Sequence, residues 1–377
     1  MANTLSNLIP DVYAALDTVS RELTGALPGV QRDASADRVA SNQTLRIHKA
    51  PTNVSSAYTP SMAVPSAVDQ TIANSSLTLS KNKYAAFSWT GEEANSMDSG
   101  GPGFLNIQQD QIAQAFRVLT NEMENDVCDA LALGASRAYG TAGTTPFAST
   151  LADSAQARKI LDDNGAPSSG RSLVIDTSAG AALRTLGQLT KANEAGTSMT
   201  LRDGELLNLQ GFSVRESAQI NGATAGTGTS YVLNGAASEG DTTIAIDTGS
   251  GTVLAGDVVT IDGNKYVVTT GVAAPGSIVI AAPGLVADVA DTSTVTVNAT
   301  SQRNLAFSSD ALLLANRLPV FPAEGDLAID NEIITDPRTG ISFDLRVYPG
   351  DGMVLYRIHA LWGWVAKKPE HAAILLG

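Results

Sequence analysis

Residues Gly222 to Thr300 differ in kind from the text on either side, which limits the chain to plans that set a compact β unit into a mixed host. The segment holds 12 of the 34 glycines, has Tyr231 and Tyr266 as its only aromatics, and contains no Trp, Phe or Met. Seven acids (Glu239, Asp241, Asp247, Asp257, Asp262, Asp288 and Asp291) stand against one base, Lys265, which accounts for −6 of the net −14. Thr242–Asp247, Asp257–Asp262, Lys265–Thr270, Ser277–Ala281 and Thr292–Asn298 read as short alternating strands. Asp262-Gly263-Asn264 is a tight-hairpin signal between two of them. Five or six short strands in about 80 residues predict a small barrel or sandwich.

The flanking text is mixed helix and strand. In Asn3 to Gly29 the apolar residues Leu5, Leu8, Val12, Leu16, Val19 and Leu23 form one helical stripe, stopped by Pro28-Gly29. From Ala34 to Gly103 the chain is extended and rich in Ser, Thr and Pro. Strands are expected at Gln43–His48 and Ser75–Trp89, joined by about 25 residues, Lys49 to Asn74, with three prolines. A connection that long is unusual in a compact domain. A two-stranded arm reaching from the body is the better reading, and it needs another molecule beneath it, because an isolated hairpin is marginal in water.

Asn106 to Tyr139 carries the strongest helix signal. Ile112, Phe116, Leu119, Met123, Val127 and Leu131 step by 4, 3, 4, 4 and 4, with Asn106 as N-cap and Gly140 closing the end. Such a helix, roughly 45 Å long at about 1.5 Å per residue, is a structural spine. A helix at Ala152–Asn164, a buried strand at Ser172–Asp176 and a helix at Thr177–Lys191 then alternate as in a small mixed-sheet domain. Leu206 to Ser217 leads into the insert. After it, Asn304–Pro319 resumes the host pattern, Ile341, Phe343, Leu345 and Val347 alternate as a strand, Met353–Val365 is a strand, and Ala372–Leu376 is a short apolar tail.

The 377 residues can bury a large core and make two or more domains. Only 16% are charged, which suggests that much of the surface meets other protein. A net charge of −14, with Lys367-Lys368 as the tightest basic group, argues against a nucleic-acid-binding face. No apolar run is long enough to span a membrane, and no signal peptide is expected. The single cysteine, Cys128, excludes an internal disulfide and fits a reducing compartment.

Catalytic chemistry is not expected, nor any cofactor or metal. His48, His359 and His371 lack ligand spacing, and Cys128 sits on the apolar side of the spine as an inert thiol. Ser99-Gly100-Gly101-Pro102-Gly103 lacks the Lys-Ser/Thr ending of a phosphate-cradling loop and reads as a hinge, with Gly100 and Gly103 as its pivots. The insert's aspartates show no calcium-loop pattern, and Arg202-Asp203-Gly204 is a turn.

The order of parts, from N-terminal arm through long hairpin, spine helix and small α/β domain with β insert to return strands, resembles the major capsid protein fold of tailed bacteriophages. Within it the chain is similar to the coat proteins of the short-tailed Salmonella phages, which carry an insertion domain. Leu173-Val174-Ile175-Asp176-Thr177, Leu201-Arg202-Asp203-Gly204 with Gly211-Phe212-Ser213-Val214, Asn304-Leu305-Ala306-Phe307 with Asp310-Ala311, and Leu254 to Ile261 in the insert carry the likeness. It implies an α+β fold with an N-arm at 1–36, an extended loop at 37–103, a peripheral domain at 104–140 and 350–377, an axial domain at 141–221 and 301–349, and an inserted β-barrel at 222–300.

It further implies a structural protein that forms pentamers and hexamers of an icosahedral shell enclosing double-stranded DNA. The partners would be copies of itself, a scaffolding protein and a portal; the subunit would assemble in the host cytoplasm and reside in the virion. Asp257 and Asp262 in the insert, and Lys81 and Lys83 in the arm, are the candidate inter-subunit contacts. A tail or decoration protein with a glycan-binding β module, and a bacterial nanocompartment shell protein, are the alternatives.

Overall fold

The computed structural model describes residues 22–33, 40–50, 72–98, 104–191, 208–320, 325–336 and 339–377, with isolated positions between them. The N-terminal stripe at 3–21 and the Gly100 and Gly103 hinge lie outside the described residues. Residues 22–25 have no regular secondary structure and 26–30 bend and turn, so this stretch is not the end of a helix, and β1 (Gln31–Asp33) follows.

The arm is a real hairpin with a correction. β2 (Thr44–His48) pairs antiparallel with β3 (Asn74–Thr78), with Leu45 opposite Leu77. The run read as one strand, Ser75–Trp89, is two. It breaks after Thr78, and β4 (Lys81–Thr90) enters the main body. The break buries Leu77 and Leu79 against Ala315 and Leu361, so the base of the arm rests on its own subunit. α1 (Gly91–Asp98) follows β4.

The spine, α2 (Phe104–Gly134), has 31 residues. Its stripe is buried as the spacing predicts: Leu119, Met123, Val127 and Leu131 are in the core, with Ile112 and Phe116 packed against it. Its ends are not where the cap signals put them. Asn106 lies inside the first turn, and Gly140, at φ +98°, closes a turn after a strand. Arg137–Tyr139 is β5, paired in parallel with the last strand of the chain. Pairing to a distant strand here overrides a helix-compatible local sequence.

α3 (Ala152–Asp163) stops at Asn164 and Gly165, the latter at φ +73°. β6 (Arg171–Ile175) is buried throughout. Asp176 caps α4 (Thr177–Thr185) by accepting the N–H groups of Ser178 and Ala179. The helix expected to run on to Lys191 instead breaks at extended Leu186, and a short α5 (Gly187–Thr190) resumes. β7 (Ser213–Glu216) lies parallel to β6, and β8 (Gly222–Ala223) opens the insert.

The insert is a closed barrel. β9 (Tyr231–Leu233), β10 (Thr243–Asp247), β11 (Val258–Ile261), β12 (Asn264–Thr270), β13 (Gly276–Ile280) and β14 (Thr294–Val297) pair antiparallel in the order β11-β14-β9-β10-β13-β12, and β12 closes on β11. Closure removes sheet edges. Asp262 (φ +46°) and Gly263 (φ +76°) form the hairpin turn, with Ile261 opposite Asn264. The inward residues include Tyr231, Ile244, Ile246, Val259, Ile261, Tyr266, Ile278 and Val295.

β15 (Ser301–Ser308) returns to the body between β6 and β20 (Ala372–Leu376), both antiparallel to it. Ala372–Leu376, expected as a tail, is therefore a fully buried strand in the interior of the sheet β5-β20-β15-β6-β7. The barrel joins this sheet through β12 on β5. A second sheet is built on the 14-residue β19 (Met353–Ala366). β4 takes one edge of β19. β16 (Leu312–Arg317) and β18 (Ser342–Pro349) share the other end to end, extended by β1 on β16 and by β17 (Asp330–Thr335) on β18. The spine packs against both sheets in one core, where Trp362 is fully buried and donates its Nε1–H to Asp126 at 2.9 Å.

Candidate functional site

The proposed contact residues fall into three kinds of place. Asp257 is 2% exposed, and its carboxylate is turned inward. It accepts the N–H of Leu254 at 2.7 Å and that of Gly226 at 3.1 and 3.2 Å, tying two loops at one end of the barrel. As a buried clamp it does not present a surface charge, which tells against the reading of Asp257 as an inter-subunit contact. Asp262 is exposed at the tip of its hairpin.

Lys81 and Lys83 reach the subunit's own spine. Lys81 lies 3.4 Å from Asp126 and 3.9 Å from Glu122, and Lys83 lies 3.4 Å from Glu122. Both lysines are half exposed, so each pair contributes little. Their geometry, together with the bond from Trp89 Nε1 to Gln111 Oε1 at 2.7 Å, holds β4 beside α2 where the chain turns out into the arm.

The sequence reading missed the anchorage of the N-terminal segment. Glu124 is fully buried on α2. Its carboxylate accepts the backbone N–H groups of Gly25 and Ala26 at 2.7 Å and of Leu27 at 2.8 Å. Five residues earlier, Glu22 meets Arg117 and accepts from Asn121 at 2.7 Å. The Arg117 guanidinium, with Asn121 second, holds the Glu22 carboxyl down at about 2. On the other side, Arg32 donates to Thr339 O at 2.6 Å. The signal was present: Thr120, Glu124 and Cys128 step by four beside the apolar stripe, and all three are buried.

Large apolar side chains are left in solvent at several places, Tyr84 on β4 and Val118 on α2 among them. In the connection between β2 and β3, Tyr58, Met62 and Ile72 are 81%, 107% and 66% exposed. In β17 and the stretch before it, Val320, Leu327, Ile329 and Ile333 are each at least 60% exposed. Contiguous exposed apolar surface is a mark of contact with other macromolecules.

Reactive groups are not gathered. Among the described residues no group of three or more His, Cys, Asp and Glu could hold a metal, and no helix is long and apolar enough to cross a membrane. Cys128 is buried, and burial pushes its thiol pKa up. His371 Nδ1 is 2.9 Å from Asp310 Oδ2 in a structural pair, and His359 is bonded to Asn82.

No protein-family model and no curated protein matches this sequence. Solved structures do match in fold. A structure from Mycobacterium phage Che8 aligns with a TM-score of 0.55 at 15% identity, over 99% of this chain and 98% of the other. The capsid structure of the cyanophage P-SCSP1u gives 0.55 at 12% identity, over 100% and 95%. The asymmetric unit of the bacteriophage PhiM1 mature capsid gives 0.52 at 12%, over 96% and 89%. At these identities the likeness establishes the fold: the chain has the architecture of phage capsid structures, in a mixed helix-and-strand body with a small barrel.

Proposed function

We propose that this chain is the major capsid protein of a tailed phage, a structural, non-enzymatic subunit that assembles into the pentamers and hexamers of an icosahedral shell around double-stranded DNA. The observation that carries the reading is the end-to-end likeness to two phage capsid structures, combined with a β2–β3 connection that leaves large apolar side chains in water. In a shell the arm lies across the next copy, which covers Tyr58, Met62 and Ile72. Identical surfaces repeated around closed rings give a finite particle, and many modest contacts per subunit sum by multivalency. A net charge of −14 suits an inner wall that does not trap packaged DNA.

The inserted barrel supports a place near the coat proteins of the short-tailed Salmonella phages, with the exposed Asp262 turn directed at a neighbouring capsomer. Lys81 and Lys83 set the direction of the arm, and Gly100 and Gly103 serve as its hinge. The N-arm, extended loop, peripheral, axial and insertion domains follow the boundaries given above. A scaffolding protein and a portal are the expected partners during assembly in the host cytoplasm, and the virion is the final location.

Expression of the full chain, alone and with a scaffolding protein, followed by sedimentation and negative-stain microscopy, tests this. Closed shells of hundreds of copies are expected. A stable monomer under every assembly condition refutes it, while rings or fibres point to a tail, tube or decoration protein.

A further inference from the structure

β17 is the last strand of its sheet, paired with β18 alone, and every residue in it but Ile334 is exposed. Its outer edge offers backbone N–H and C=O groups to a further strand, and it carries neither the Lys nor the Pro that commonly blunts such an edge. Residues 320–336 hold five acids, Glu324, Asp326, Asp330, Glu332 and Asp336, and no base. Asp326 is taken by Arg346 and Tyr348. Among the described residues neither Asp330 nor Glu332 meets a base.

β2 is an open edge of the opposite sign. It pairs with β3 alone, its Arg46 and His48 are exposed, and Lys49 follows. None of the three meets an acid among the described residues. Within the subunit the edges of β2 and β17 are not joined.

The hydrogen bonds fix which backbone groups each edge presents. Lys49 N–H reaches Ala73 O at 3.0 Å in register with the β2–β3 pairing, so the backbone groups of Thr44, Arg46 and His48 point away from β3. Asp336 N–H reaches Ile341 O at 2.9 Å in register with the β17–β18 pairing, so those of Asn331, Ile333 and Thr335 point away from β18. Outward residues must pair with outward residues. The antiparallel register that overlaps all of β17 with 44–49 sets Ile333 opposite Arg46, Asn331 opposite His48 and Thr335 opposite Thr44. It also sets Asp330 opposite Lys49 and Ile334 opposite Leu45, with Glu332 diagonal to Lys49. A second β17 fits poorly. Antiparallel self-pairing centred anywhere from 331 to 334 puts two carboxylates opposite each other (330 with 332, 332 with 332, 330 with 336, or 332 with 336), and like charges so placed destabilise a sheet.

We propose that the open edge of β17 is an inter-subunit docking strand whose occupant is β2 of a second copy of this chain, added antiparallel in that register; this rests on the shell reading above and deepens it. Backbone pairing supplies the contact, and the opposite charges select β2 over another β17.

The test uses cysteine variants of the full chain, whose native Cys128 is buried. Arg46→Cys and Ile333→Cys are purified separately, mixed, assembled and oxidised. In the proposed register their Cα atoms lie about 5.5 Å apart, within disulfide range, and a bond between two single-cysteine chains joins two copies. A covalent dimer is expected in the mixture, but not in either variant alone nor in Arg46→Cys mixed with Asp262→Cys. In parallel, Asp330→Lys raises the protein concentration needed for assembly about threefold, and adding Lys49→Glu to the same chain restores it. Closed shells that lack the mixed dimer overturn the docking strand and leave the shell reading standing. A dimer from Ile333→Cys alone assigns the edge to a second β17 and overturns it as well. A double reversal that assembles no better than Asp330→Lys overturns the register. A chain that stays monomeric under every condition refutes the shell reading and the docking strand with it.

Discussion

Glu124→Gln tests the anchorage of the N-terminal segment with a change of one atom. In the wild type Oε1 accepts two backbone N–H groups at 2.7 Å, and Oε2 accepts a third at 2.8 Å, in a site fully closed to water. The amide keeps at most one oxygen facing this triplet, so the N–H of Leu27 meets an N–H instead of an acceptor. A buried orphaned donor costs about 1–3 kcal/mol, and the two bonds that remain lose the charge that makes such bonds roughly twice as strong as neutral ones. The sum is about 3 kcal/mol, roughly two orders of magnitude in the opening equilibrium of the segment. The segment can detach from α2 while the rest of the subunit stays folded, so global unfolding is the wrong readout. Hydrogen exchange resolved along the chain is the right one. Protection at 25–30 falls about 100-fold, Ala26 and Leu27 become accessible, and barrel strands β11 and β12 keep their rates. A loss of less than about fivefold at 25–30, or an equal loss everywhere, refutes the assignment of Glu124 as the anchor.

Glu22 adds a pH dependence to the same segment. Its pKa in the folded protein is lowered from 4.5 to about 2, chiefly by the hydrogen bond from Arg117. The contribution is therefore complete above pH 4.5 and disappears as pH falls toward 2; proteolysis of the N-terminal segment should rise across that window in wild type but not in Glu22→Gln. In the barrel, Asp257→Ala removes the acceptor for two loop N–H groups and lowers the stability of the free subunit by about 2–4 kcal/mol in a thermal melt. Asp262→Asn leaves that melt within about 0.5 kcal/mol, and equal effects from the two substitutions would contradict their placement. Gly363→Ala tests the seat of the arm. A Cβ there would stand 2.1 Å from Thr78 O, so β3 must shift, at about 1–3 kcal/mol, visible as faster exchange in β2 and β3.

The barrel and the spine were readable because each carries its own period. Alternating apolar residues with an Asp-Gly turn specify half-buried hairpins, and six apolar residues at helical steps specify one buried face. What stayed hidden depends on partners far away in sequence. The end of α2 is decided by Ala373, Ile374 and Leu375, which draw Arg137–Tyr139 into a parallel pairing. The same strand looked like a tail because five consecutive apolar residues carry no period, as expected for a strand covered on both faces. β17 was invisible for the opposite reason: an edge strand exposed almost throughout shows no alternation. The break after Thr78 follows from Gly363, whose missing side chain lets the arm cross β19.

Among the interaction residues, the sequence placed charge correctly and orientation poorly. Asp257 sits in an acidic, turn-rich segment like Asp262, yet it closes a local ring onto Leu254, three residues before it. Lys81 and Lys83, expected in the arm, stand on β4 in the main body, and the acids they meet, Glu122 and Asp126, lie on α2 about forty residues further along the chain. Glu124 is a charged residue whose role follows only from its burial and its partners.

Cryo-electron microscopy of assembled protein is the most direct test of the shell assignment. Closed icosahedral particles built of pentamers and hexamers of this chain are expected, with the β2–β3 connection, at Tyr58 and Met62, seated on an adjacent copy. Particles of another symmetry, open fibres, or a shell in which that connection remains in solvent would contradict the assignment.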